Sequence, residues 1–151
     1  MKKTNPLERA TRPLTARKRN GRDVRSTYRK LITAAKTAQR KAHAPYSKFR
    51  VGAALLTKSG KIFTGVNVEN ASYGLTNCAE RVAIGKAVSE GHRKFRALAV
   101  VAPSRALSPC GACRQVLAEF GQMIVICADS RNLRLIRVYL LSDLLPHAFQ
   151  L

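Results

Sequence analysis

Apolar positions along this chain keep two periods. Tyr28, Leu31, Ile32, Ala35 and Ala38 recur at i, i+3, i+4 spacing, which makes one stripe of a helix. Ser26 is placed to cap that helix and Pro45 to stop it. Its Lys and Arg residues fall mostly on the opposite face. Two strand-like runs follow, Val51–Thr57 and Ile62–Val68, joined by Lys58-Ser59-Gly60-Lys61, and this predicts a hairpin. A second helix is predicted from about Cys78 to Glu90, with Gly91 to end it. Ala97–Ala102 is short, apolar and β-branched, the pattern of a buried strand. A third helix runs from about Gly111 to Phe120, closed by Gly121, and Met123–Ala128 is the next buried strand. Leu133–Leu140 follows after Asp129-Ser130-Arg131-Asn132. That link is too short for a parallel crossover, so the last two strands should be antiparallel. Ser142–Leu145 forms a last turn before Pro146.

The order α-β-β-α-β-α-β-β-α predicts an α/β fold. It is a three-layer α-β-α sandwich whose five-stranded sheet is mixed because both its ends are hairpins. The longest apolar runs are six residues, whereas a membrane-spanning helix needs about 18. Met1-Lys2-Lys3 is not followed by an apolar stretch, so a secretory leader is not expected and a cytoplasmic location is.

Charge changes the picture of the first third. The 151 residues hold 28 Lys plus Arg against 8 Asp plus Glu, a net of +20. Residues 1–25 carry nine basic residues against Glu8 and Asp23, and residues 26–50 carry seven and no acid. Residues 1–25 lack apolar periodicity and contain Pro6, Pro13 and Asn20-Gly21, so they are read as a flexible basic arm before a domain spanning 26–151. The arm is a solvated tail, a site of nonspecific polyanion binding, or a transit segment. The charge alone suggests a nucleic-acid binder.

The cysteines bring the chemistry. Cys110-Gly111-Ala112-Cys113 is a C-x-x-C pair, which by itself suits a zinc clip or a redox pair equally. Both cysteines open a predicted helix, and Cys78 opens the other. Helix N-termini carry partial positive charge, which favours the thiolate that binds metal. Three thiolates from two helix starts make a three-ligand zinc site with its fourth position left for water. Cys127 either completes a closed four-thiolate site or is a small buried hydrophobe. Glu80 has two readings as well: the far end of an Asn77-x-x-Glu80 capping box, or a general acid/base beside metal-bound water.

Cys78-Ala79-Glu80 with Pro109-Cys110-Gly111-Ala112-Cys113 resembles the zinc deaminase signature, with Cys in place of its first His. Tyr46–Leu55 resembles the first strand of the small zinc-dependent cytidine deaminases of the homotetrameric type. Gly65–Tyr73 resembles their ribose-binding segment, Asn77–Arg81 and Ser108–Gln115 their two metal-binding helix starts, and Leu144–Phe149 their C-terminus. The resemblance covers about residues 26–151.

It implies hydrolytic deamination of cytidine and deoxycytidine to uridine and deoxyuridine, with ammonia released, as a step of pyrimidine salvage. It also implies one Zn²⁺ per chain on Cys78, Cys110 and Cys113, a zinc-bound hydroxide, and Glu80 as proton shuttle. Arg81 is implied to support the thiolates. Phe49 would pack on the pyrimidine ring, Asn67 and Glu69 would bind the ribose hydroxyl, and the Ala79 N–H would bind the base carbonyl. Tyr73 and Phe149 match positions that reach a neighbouring subunit's site in a homotetramer. A deaminase of a blasticidin-type nucleoside antibiotic fits the zinc motifs too, but the intact Asn67–Ala71 segment and Phe49 favour cytidine. A polynucleotide deaminase needs an open groove, and no insertion here would build one. A non-enzymatic zinc module leaves Glu80, Asn67 and Glu69 without a reason. Met1–Arg25 lies outside the resemblance, and the connection Pro103–Leu107 is short for the family.

Overall fold

The computed structural model describes residues 24–151. The arm expected over 1–25 therefore lies outside the described residues, except Val24 and Arg25, which begin the first helix. The elements are α1 (Val24–Gln39), β1 (Gly52–Thr57), β2 (Ile62–Val66), a 3-10 turn (Tyr73–Leu75), α2 (Ala79–Ser89), β3 (Phe95–Ala102), α3 (Gly111–Ala118), β4 (Ile124–Asp129), β5 (Ile136–Leu140) and α4 (Leu141–Leu144). The strands form one sheet in the order β2-β1-β3-β4-β5.

Strand alternation sorts the core into two layers. Ala54, Leu56, Ala97, Ala99, Val101, Ile126 and Ala128 face α1, which supplies Leu31, Ile32 and Ala35. Ala53, Leu55, Leu98, Val100, Val125 and Cys127 face the other way, onto α2 and α3. Both faces are covered, so all six residues of β1 are buried and the strand reads as a continuous apolar run. Two glycines let the helices come this close. A Cβ on Gly52 would lie 2.0 Å from Ala35 O of α1, and one on Gly65 would lie 2.2 Å from Ala79 O at the start of α2.

β1 pairs antiparallel with β2 on one side and β3 on the other, so β2 and β3 run in the same direction. β3 and β4 pair parallel. Helix α2 thus crosses from β2 to β3 and α3 from β3 to β4, moving the same way across the sheet. Right-handed crossovers then put both helices on one face, with both N-termini at the end where β2 and β3 finish. The last pair, β4 and β5, is antiparallel, as its short link requires.

Element ends differ from the sequence expectation where side chains redirect the backbone. Ser26 lies inside α1 and not at its cap. The helix stops at Gln39, well before Pro45, because the chain turns to pair with the segment after β2: His43 N donates to Asn67 O at 3.1 Å, and Glu69 N to His43 O at 2.8 Å. The same pairing ends β2 at Val66 and leaves Val68 in single bridges to His43 and Asn77. β5 begins at Ile136 and not Leu133. Asp129 accepts from Arg131 N at 2.9 Å and Arg131 Nη2 at 3.0 Å, and Leu135 N donates to Asn132 O at 2.9 Å, which folds the intervening residues into turns.

Candidate metal centre

Cys78 is the N-cap of α2 and Cys110 the N-cap of α3, and neither side chain makes a capping bond, so both sulfurs are free for another role. Cys113 sits in the first turn of α3 and is fully buried. The Cys78 and Cys110 sulfurs are 4.0 Å apart, and all three sulfurs lie within 4.8 Å of one another. Tetrahedral zinc with 2.3 Å bonds to sulfur would hold its ligands about 3.8 Å apart. The three thiols therefore fit that ion with little movement. Hydrogen bonds from Cys113, Arg81 and Cys110 hold the Cys78 thiol down to about 5. The Cys113 thiol is driven upward by its hydrogen bond to Cys78 and by burial. Cys127 stands outside this group, in the α2-facing core layer, and burial pushes its thiol up to about 12.

The guanidinium of Arg81, one turn after Cys78, reaches back to the metal end of α2. Its Nη2 donates to Thr76 O at 3.0 Å and lies 3.8 Å from Cys78 Sγ, while its buried Nε has no partner. Glu80 is only 4% exposed. The capping box is not built, since the N-cap is Cys78 and Asn77 is exposed. Burial pushes the Glu80 carboxyl above the usual carboxylate range and the Cys78 thiolate adds to this, against bonds from its own N–H and from Cys113.

The segment after β2 is bound directly to this helix start. Val68 N donates to Asn77 O at 2.9 Å and Asn77 N returns to Val68 O at 3.0 Å. The buried Asn67 uses both ends of its amide on the chain before β1: Oδ1 accepts Val51 N at 2.8 Å and Nδ2 donates to Phe49 O at 2.9 Å. Glu69 Oε2 accepts Tyr46 N at 3.0 Å and Ser47 N at 3.2 Å, and Oε1 bonds the Ser47 hydroxyl, which holds the carboxyl below its usual range. Asn67 and Glu69 are thereby tied to the chain from Tyr46 to Val51, and Val68 to Asn77, next to Cys78. Ala79 gives the first N–H of α2, which has no partner within its own helix. Tyr73 and Phe149 are 78% and 70% exposed, and the Tyr73 ring lies edge-on to Tyr46 with centroids 6.4 Å apart.

The cytidine and deoxycytidylate deaminase zinc-binding region matches residues 25–129. The chain belongs to this deaminase family. It is 53% identical over 123 residues to cytidine deaminase of Sporosarcina psychrophila, covering 80% of this chain and 89% of that one. It is 51% identical over 126 residues to cytidine deaminase of Halalkalibacterium halodurans, covering 79% and 91%. The crystal structure of cytidine deaminase from Burkholderia pseudomallei superposes with a TM-score of 0.77 at 51% identity, over 81% of this chain and 98% of that chain. The family is one of zinc-dependent hydrolases, and the Cys78, Cys110 and Cys113 group is the place for its zinc.

Sequence reasoning missed how this deaminase fastens its α3 ligands. Arg114 Nε donates to Pro109 O at 2.8 Å, Nη2 to Ser108 Oγ at 2.9 Å and Nη1 to Leu144 O at 2.9 Å. One guanidinium thus ties the turn before Cys110 to α4. The short Pro103–Leu107 connection folds tightly into that turn, with the buried Ala106 at φ 54 and its N–H donating to Ser104 O at 2.7 Å. The sequence signalled Arg114 only by its place next to Cys113.

Proposed function

We propose that this protein hydrolyses cytidine and deoxycytidine to uridine and deoxyuridine and releases ammonia. One observation carries the reading: a buried carboxylic acid, Glu80, stands at the helix end that presents Cys78 to the other two thiols. Zinc on the three thiolates supplies the Lewis acid that makes water nucleophilic near neutral pH. Glu80 takes a proton from the attacking water and delivers it to the ring nitrogen N3. It then takes the proton of the new C4 hydroxyl and passes it to the departing amino group, so water enters, ammonia leaves and the C4 carbonyl of uracil remains. Its raised affinity for protons suits a group that must both take and return one.

The other roles belong to the same proposal. Phe49 packs on the base, the Ala79 N–H binds its carbonyl, and Asn67 and Glu69 serve the ribose while holding the loop before β1. Arg81 offsets the charge of three thiolates. The exposed rings of Tyr73 and Phe149, with Tyr46 edge-on to Tyr73 at 6.4 Å, support a homotetramer in which they complete a neighbour's site. Three free thiols in one site support a reducing compartment, the cytoplasm, and the products support pyrimidine salvage. The arm expected over residues 1–25 is proposed as separate from the deaminase domain only up to residue 23, since Val24 and Arg25 belong to α1.

The test is ammonia release by the zinc-loaded protein from free cytidine, free deoxycytidine and cytosine within single-stranded DNA. Turnover of both nucleosides supports the reading. Turnover of the polymer alone overturns it.

A further inference from the structure

The basic charge persists within the folded domain. Between Val24 and Val68 there are ten Lys and Arg residues and no acid. The outward stripe of α1 is made of Arg29, Lys30, Thr33 and Thr37, and Arg40 and Lys41 continue it in the turn that follows, all exposed. These residues offer only cations and hydroxyls, the side chains that bind phosphate oxygens. Lys61 pairs with Glu90 and Arg131 with Asp129, and neither pair takes in Arg29, Lys30, Arg40 or Lys41. The acid nearest in effect is Asp129, which feels Lys36 but is already bonded by Arg131. No acid occupies the first turn of α1, and Arg29 and Lys30 follow soon after it, at the end where the helix dipole favours anions. Arg40 and Lys41 suit the C-terminal end of the helix, but Arg29 and Lys30 do not suit its N-terminal half and are free to meet an anion from outside.

We propose that the outer face of α1 binds the sugar-phosphate backbone of double-helical nucleic acid, without reading its sequence. From Arg29 to the end of α1 the stripe spans about 15 Å along the helix axis, enough to meet several phosphates at one charge per roughly 1.7 Å of duplex. The stripe exposes no aromatic ring; Tyr28 is half-buried and packs toward the sheet. Base stacking, which single strands use, is therefore absent and backbone contact is what remains. A membrane surface fits less well. The apolar residues of α1 are spent on the sheet, with Leu31 at 0% and Ile32 at 5% exposure, so nothing is left to enter lipid. The large apolar residues exposed among those described all lie outside α1, which leaves this face clear of the surface proposed for subunit contacts. It is also on the opposite side of the sheet from α2 and α3, so binding and turnover should be separable.

The experiment uses the full zinc-loaded chain and a fluorescent RNA duplex of roughly two turns, with a DNA duplex of equal length beside it. Affinity is read by anisotropy between about 50 and 200 mM salt. Neutralising Arg29, Lys30, Arg40 and Lys41 to Ser should make the slope of log K against log salt shallower by about 3 to 4 for both duplexes. Cytidine turnover should stay unchanged. A control variant neutralises Lys58, Arg93, Arg134 and Arg137, four exposed cations outside α1, and should keep most of the slope. An unchanged slope in the α1 variant overturns the proposal, as does an equal loss in the control. So does binding to phosphatidylcholine vesicles doped with phosphatidylserine when neither duplex binds.

Discussion

Gln115 closes both ends of its side-chain amide on the backbone of Phe149: Nε2 donates to Phe149 O at 3.0 Å, and Oε1 accepts Phe149 N–H at 3.1 Å. The side chain thereby imitates one rung of a β-ladder and seats the C-terminal segment on the helix that carries Cys113. Replacing Gln115 with Ala removes two bonds of about 0.5–1.5 kcal/mol each. The Phe149 ring then loses its fixed position while the zinc ligands keep theirs. Zinc content should stay at one per chain, and KM for cytidine should rise by about 3- to 10-fold, the change about 1 kcal/mol produces. Steady-state kinetics with metal analysis on the same sample checks this. Loss of zinc in the variant would show that Gln115 serves the metal site and not Phe149.

Glu80 and the thiols contribute to different steps, so they should separate by substitution. Glu80→Gln keeps the shape of a buried side chain that is 4% exposed, and its amide oxygen can still accept from Cys113. Zinc stoichiometry should be retained and kcat should fall by about 10²–10⁴, the usual worth of a positioned acid/base group. Cys110→Ala should lose the metal itself. If Glu80→Gln turns over at the parent rate, the proton shuttle lies elsewhere.

Gly65 tests how the fold positions the metal centre. Its missing Cβ would stand 2.2 Å from Ala79 O and 2.5 Å from Ala83 N, both backbone atoms that cannot rotate away. Gly65→Ala must lift the first turn of α2 from β2, and Cys78 with it. Overpacking of this kind costs about 1–3 kcal/mol, or roughly 3–10 °C in Tm for a domain of this size. Differential scanning calorimetry of the zinc-loaded protein measures the shift. Zinc should also leave the variant faster in the presence of a chelator. Gly60→Ala is the contrast: nothing lies within 4 Å of its Cβ, and its φ of 97° alone carries the cost.

The centre of the sheet was legible in the sequence because its strands are buried on both faces and read as apolar runs, as in β1 and in Ala97–Ala102 of β3. The antiparallel end was legible from the short link after Asp129. Helix starts at Cys78 and Cys110 were legible too, since each precedes a run with a glycine stop. The ends of elements were not. Gln39 and Val66 mark places where a distant partner outcompetes local periodicity, His43 with Asn67 being the clearest, and Ile136 a place where local turns do so. Asn67 and Glu69 were singled out for the ribose, but no pattern announces that Asn67 also spans Phe49 and Val51 or that Glu69 gathers Tyr46 and Ser47. Arg114 and Gln115 were invisible as clamps because their partners, Leu144 and Phe149, lie 30 and 34 residues away.

Arg81 should govern how tightly zinc is held. Three thiolates with one Zn²⁺ leave a net charge of about −1, and a full cation, the Arg81 guanidinium, lies 3.8 Å from Cys78 Sγ. The same Nη2 is anchored by Thr76 O at 3.0 Å, so the charge is held in place beside the sulfur and does not drift with solvent. Arg81→Gln keeps much of the side chain and removes the charge. Partners of this kind are worth about 10- to 100-fold in metal affinity or activity, so zinc affinity, read by competition with a chromophoric chelator, should fall by about that factor. Arg81→Lys restores the charge but not the planar fork that spans Thr76 and Cys78, and should recover only part of the loss. If Arg81→Gln binds zinc as tightly as the parent, the helix dipoles of α2 and α3 alone balance the thiolates, and Arg81 serves only to fasten the turn at Thr76.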